Sequence, residues 1–195
     1  MGRKRVFVAA AGAAIAGTVA WAGIPEPDVV LYGQVFIQQL LQGAVTDLTV
    51  IARVDGVSDP VATYRMGTES GVGDRYVLRI ELESLADGSG QSNDKAVVGQ
   101  TAHILIREGD GPEQPVTDYA IADRGRIEYV DLGERVPGDW TGDAQVTLSD
   151  LPPFAECLKG PVPHSGQCVA AYDFDGNSTV DLADFGGYQA ALTAK

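Results

Sequence analysis

Between Tyr172 and Phe185, oxygen-bearing side chains recur at every second position: Asp173, Asp175, Asn177, Thr179 and Asp181. Asp184 follows at the head of an apolar segment. Counted from Asp173, these are positions one, three, five, seven, nine and twelve of a loop. A hard divalent cation such as calcium needs this pattern. It takes about six to eight oxygens at about 2.3–2.6 Å, so a chain winding around it must offer an oxygen at alternate residues. Asp173, Asp175 and Asn177 would bind through their side chains and Thr179 through its backbone carbonyl. Asp181 would act through a water, and Asp184 would bind from the first turn of a helix. The competing interpretation is a solvated acidic turn whose aspartates cap a helix N-terminus.

A second copy starts at Asp139, 34 residues before Asp173. DWTGDAQVTLSDLPPFAECL aligns on DFDGNSTVDLADFGGYQAAL without a gap. Asp139 falls on Asp173, Gly142 on Gly176, Val146 on Val180, Leu148 on Leu182 and Asp150 on Asp184, while Phe154 is set against Phe185. An internal repeat of this kind is hard to obtain from random acidic turns. The first copy has Thr141 at position three and Gln145 at position seven, so its carboxylates are Asp139, Asp143 and Asp150. Two calcium sites are expected, the second the stronger. Position six usually carries glycine for a left-handed backbone; Ala144 and Ser178 stand there at a cost of about 1 kcal/mol each. Val146 and Val180 are expected to meet as a short strand pair. Pro152 and Pro153 fall in the first turn of the first helix, where a missing amide proton is tolerated. Leu182, Phe185, Gln189 and Leu192 form the partly apolar stripe of the second.

From Asp28 to about Leu132 the apolar period is two. In DRYVLRIELES, Tyr76, Leu78, Ile80 and Leu82 share one face, and Val77, Arg79 and Glu81 the other. VVLYGQVFI, LTVIARV, VATYRM, TAHILIRE, VTDYAIA and RIEYVDL read alike, separated by Gly, Asp, Ser and Pro clusters. About seven short strands predict a two-sheet β-sandwich over 23–136. QQLLQGAV, the one helix-like segment, is either an eighth strand or a loop turn. The alternation stops near Val136, so 137–195 is read as a small α-helical domain built on the two loops.

The formal net charge is −13, and 45% of the residues are hydrophobic. That composition is globular, and the charge argues against nucleic acid or anionic membrane as partners. MGRKR followed by an uncharged apolar run ending at Ala20-Trp21-Ala22 reads as an export signal spanning 1–22; an N-terminal anchor is the alternative. No later stretch could span a bilayer. In an exported chain Cys157 and Cys168 are expected to be bonded to each other, a closure worth roughly 2–3 kcal/mol. The two histidines, His103 and His164, lie in no zinc or nucleophile motif, and Glu81 with Glu83 is read as a solvent-facing stripe. The protein is therefore expected to be non-catalytic.

The duplicated loop–helix pattern resembles the type I dockerin module. The likeness covers about Gly138 to Lys195 and rests on Asp139, Asp143, Val146 and Asp150, and on Asp173, Asp175, Asn177, Val180, Asp181 and Asp184. It implies two EF-hand-type calcium loops, a calcium requirement for folding, and docking onto a cohesin-like domain of a scaffold or cell-surface protein. In that family positions ten and eleven contact the partner; here they are Leu148-Ser149 and Leu182-Ala183, more apolar than the usual Ser or Thr pairs. The sandwich resembles immunoglobulin-like or transthyretin-like extracellular modules. Together these imply a secreted or cell-surface protein of an extracellular, polysaccharide-related assembly. The rival readings make the sandwich a carbohydrate-binding module or a small polysaccharide-acting enzyme.

Overall fold

The computed structural model describes residues 26–44, 46–84, 90–158 and 165–193. The 1–22 segment and His164 lie outside them. Nine strands come first: β1 (Val29–Gly33), β2 (Phe36–Ile37), β3 (Leu40–Leu41), β4 (Leu48–Val54), β5 (Ala62–Arg65), β6 (Tyr76–Ile80), β7 (Thr101–Glu108), β8 (Gln114–Ala120) and β9 (Ile127–Tyr129). A short 3-10 turn (Leu148–Asp150) and three helices follow: α1 (Leu151–Cys157), α2 (Gly166–Tyr172) and α3 (Leu182–Thr193). The described residues are thus mostly β, in several sheets, with three short helices. Among the described residues no helix is long and apolar enough to cross a membrane.

The strands form a four-stranded antiparallel sheet in the order β5-β4-β7-β8 and a three-stranded sheet in the order β6-β1-β9. β2 and β3 make a separate hairpin. Period-two patterning gives each main sheet one apolar face. β6 buries Tyr76, Leu78 and Ile80 and exposes Arg79 between them. Val29 and Leu31 of β1 join these residues in one buried cluster with Val50 and Ala52 of β4, Tyr64 of β5 and Ile104 of β7. Each fully buried aliphatic or aromatic side chain there contributes about 1.5–3 kcal/mol.

Within the three-stranded sheet β1 runs antiparallel to β6 but parallel to β9. That parallel pairing continues in a Val35–Leu132 bridge. The last strand therefore leaves this unit beside β1 and delivers the chain to the helical part at a fixed place.

Within QQLLQGAV both alternatives are met in part: Gln38-Gln39 is a turn and Leu40–Leu41 a strand. Gln38 and Gln39 sit at φ 52° and 67°, and Leu40–Leu41 returns along Phe36–Ile37. Positive φ at both central residues is the hairpin turn whose twist matches the strands. Glutamine rarely adopts it, which is why the sequence alone left strand and turn open.

The helical part has its own buried cluster of Val146, Phe154, Cys157, Ala171, Tyr172, Val180 and Tyr188. Phe154 is stacked on Tyr188 at 5.3 Å and meets Tyr172 edge-on at 5.1 Å. Tyr188 is the ungapped repeat partner of Phe154; Phe185 is only a half-buried neighbour, so the repeat runs through the helices in register. Val146 and Val180 both enter this cluster, but no β-bridge joins them. α2 lies between the two repeats and leads directly into the second loop. Ser165 caps it by accepting from the Cys168 amide at 3.3 Å. Cys157 and Cys168 are bonded, with Cα atoms 5.7 Å apart, tying the end of α1 to the start of α2.

Candidate functional site

The second loop begins at Asp173, where α2 ends, and closes at Asp184, in the first turn of α3. Its backbone is folded around its own carboxylates. Asp173 Oδ1 accepts from the Gly176 and Asn177 amides (2.8 and 3.1 Å), and its Oδ2 accepts from Ser178 (2.9 Å). Asp184 Oδ1 accepts from the Phe174 amide at 2.8 Å, and its Oδ2 from the Asp181 amide at 2.8 Å. Asp175 accepts from the Asn177 amide at 3.1 Å and from its side chain at 3.0 Å. The Thr179 amide donates to Asn177 Oδ1 at 2.8 Å.

One carboxylate oxygen from each of Asp173, Asp175 and Asp184 lies within 4.8 Å of the others. Two oxygens bound to one calcium at about 2.4 Å cannot be more than about 4.8 Å apart, so this spacing admits a shared ion. The donors are all oxygen, the set that hard cations such as calcium favour. Asp184 is 0% exposed, and among the described residues no cationic side chain pairs with it. A buried carboxylate held only by amide protons keeps an uncompensated charge, and an ion beside it would neutralise part of that charge. Asp181 stands aside: its Oδ1 accepts from the Ala183 amide at 2.7 Å and caps the start of α3.

The first loop repeats most of this scaffold. Asp139 accepts from the Gly142 and Ala144 amides at 2.7 and 2.8 Å. Asp150 Oδ1 accepts from Trp140 and Thr141, and its Oδ2 from Thr147. Ala144 and Ser178 take the expected left-handed backbone, at φ 63° and 66°. Asp139 and Asp150 are as fully buried as Asp184. The expected cation ligands of this loop, however, do not converge. Asp139, Asp143 and Asp150 form no group like the second loop's. Thr141 turns its hydroxyl onto Asp139 at 3.2 Å, and Asp143 accepts from the Gln145 amide at 3.0 Å. Thr147, absent from the sequence-derived ligands, completes a capping box with Asp150. Its place at position nine of the repeat was the available signal.

Two tyrosines carry helix positions onto the first loop. Tyr172 donates to the Asp150 carbonyl and Tyr188 to the Thr147 carbonyl, each at 2.7 Å. Burial, with the nearby Asp150 charge, pushes both phenols up. Positions ten and eleven face outward in both copies. Leu148 is 69% and Leu182 79% exposed, with Ser149 and Ala183 exposed beside them. Trp140 is stacked on Tyr172 at 5.7 Å, so one indole face is covered. Trp140 also lines a cleft of about 470 Å³ together with Pro152, Pro153, Glu156 and the disulfide.

The acid–base candidates of the β unit do not converge. Glu81 pairs with Lys95 at 3.3 Å, while Glu83 accepts from the Ser92 hydroxyl at 2.6 Å. His103 Nδ1 meets Asp118 at 2.7 Å and its Nε2 lies 3.6 Å from Asp55. The hydrogen bond to Asp118, more than the charge of either acid, raises the imidazole above its ordinary value. No protein-family model matches the chain, and no curated protein matches it closely enough to count as a relative.

Proposed function

We propose that the protein is a secreted, non-catalytic docking protein whose C-terminal 137–195 segment is a dockerin-like module with two EF-hand-type loops. Calcium binds most strongly at Asp173, Asp175, Asn177, Thr179 and Asp184, with Asp181 outside the direct shell. The first loop binds more weakly or not at all. The observation that carries this is the convergence of three carboxylates within 4.8 Å inside a loop whose scaffold is duplicated. Leu148 and Leu182, exposed at matched turns, supply the apolar contacts to a cohesin-like partner. The β unit, an immunoglobulin-like or transthyretin-like sandwich in this reading, serves binding or spacing in an extracellular, polysaccharide-related assembly. Its two main sheets share one core, as such a sandwich requires.

Calorimetric titration of the chelator-treated full chain with calcium tests this reading. Saturable binding is expected, abolished at the stronger site by Asp173→Ala and little changed there by Asp139→Ala. No heat beyond dilution, or equal losses in the two variants, would contradict it.

A further inference from the structure

We infer that the N-terminal β unit, not a bound ion, holds the first loop in its folded shape, through Arg135 and the β2–β3 hairpin. This rests on the cation reading above only for the contrast with the second loop.

Arg135 lies at the boundary between the two buried clusters, and its side chain is only 5% exposed. Its Nε and Nη2 both reach Asp131 Oδ2 at 2.9 Å. Nη2 also donates to Gln34 Oε1, and the guanidinium lies 4.5 Å over the Phe36 ring. Its remaining arm, Nη1, donates to the backbone carbonyl of Asp139 at 3.1 Å. Gln34, Phe36 and Asp131 belong to the β unit, and Asp139 is the first residue of the first loop. A planar, permanently charged fork thus fixes that loop's opening residue against the β unit from a dry site.

The hairpin makes a second, independent contact. The Leu41 amide donates to the Gly142 carbonyl at 2.9 Å, and Leu40 forms an antiparallel bridge with Asp143. Gly142 sits at φ +75°, and a Cβ there would lie 2.4 Å from Leu41 Cβ. Its repeat partner Gly176 has the same φ, +75°, yet nothing stands within 4 Å of its Cβ position. The same backbone shape is therefore braced by the β unit in one copy and open to solvent in the other. The braced copy is also the one whose carboxylates do not gather.

The experiment uses the full chain with Trp21→Phe, which leaves Trp140 as the sole indole. Trp140 occupies position two of the first loop. A companion with Trp21→Phe, Trp140→Phe and Phe174→Trp reports from the matching position of the second loop. Emission maximum and iodide quenching are followed in EDTA and in calcium. Chelation is expected to leave Trp140 at its folded value while the companion's indole shifts toward its value in denaturant. Arg135→Ala is expected to release Trp140 in EDTA, with recovery toward the folded value in Arg135→Lys. Should Arg135→Ala lose the β signal in circular dichroism, Gly142→Ala takes its place. That substitution drives Leu41 off the loop with Arg135 untouched. It is expected to release Trp140 more than Gly176→Ala, strained at the same φ but with open space around it, releases the companion's indole in calcium. Equal release overturns the inference. Release of Trp140 by chelation alone, or an unmoved Trp140 in both Arg135→Ala and Gly142→Ala, overturns the inference. If neither reporter responds to calcium or EDTA, the cation reading fails, while the Arg135→Ala result still decides the bracing.

Discussion

Replacing Asp184 with asparagine separates a cation ligand from a helix cap. The buried carboxylate accepts the Phe174 amide on one oxygen and the Asp181 amide on the other, each at 2.8 Å. Asparagine retains one acceptor but sets an NH2 group against the second amide proton. One charge-assisted bond, worth about 1.5–3 kcal/mol, is lost, and two donors are left facing each other without water. A loss of about 3 kcal/mol follows even without metal. In a chain of this size that lowers the melting temperature by roughly 6–12 °C. Calcium adds a second, separable effect. At about 100 times its dissociation constant a ligand stabilises the folded state by about 2.7 kcal/mol. Removing one of three clustered carboxylates is expected to erase most of that gain. Thermal unfolding by circular dichroism, with and without calcium, reads both. The reasoning is refuted if the Asp184→Asn protein melts lower in EDTA yet gains as much from calcium as the unaltered chain. Asp184 would then be a cap and nothing more.

Double replacement of Cys157 and Cys168 by serine removes the tie between α1 and α2 and is expected to cost roughly 2–3 kcal/mol, read from urea midpoints with and without calcium. His103 gives a pH signature of known sign. Its Asp118 partner raises the folded pKa, so the stabilisation is full below the unfolded value near about 6.5 and is lost as pH rises through the higher folded value. Proton NMR titration of the Asp118→Asn variant should show the imidazole returning toward its ordinary range.

Strands were the most legible part of the chain, because half-buried strands must alternate. β4 and β7 fall inside the segments LTVIARV and TAHILIRE that the alternation marked. The carboxylate frame was legible for a similar reason: its oxygen-bearing residues recur at alternate positions in two copies. What escaped depended on contacts distant in sequence or on disfavoured backbone. Arg135 meets Gln34 across 101 positions, and no local pattern announces such a bond. The Gln38–Gln39 turn breaks the residue preferences of its own type. α2 is seven residues long, too short for helical periodicity to emerge. The in-register partner of Phe154 went unrecognised because Tyr188 shares its role in packing but not its side chain.

The parallel union of β1 with β9 also sets an order of events as the chain is made. β1 ends at Gly33, and its neighbour on one edge does not start until Ile127. Until that stretch has emerged, β1 has a bare edge of unpaired amides and carbonyls, a template for association with other chains. A chain truncated before Ile127 is therefore expected to associate more readily than the full chain, as light scattering would show, and closing so long a loop is expected to slow folding of this β unit.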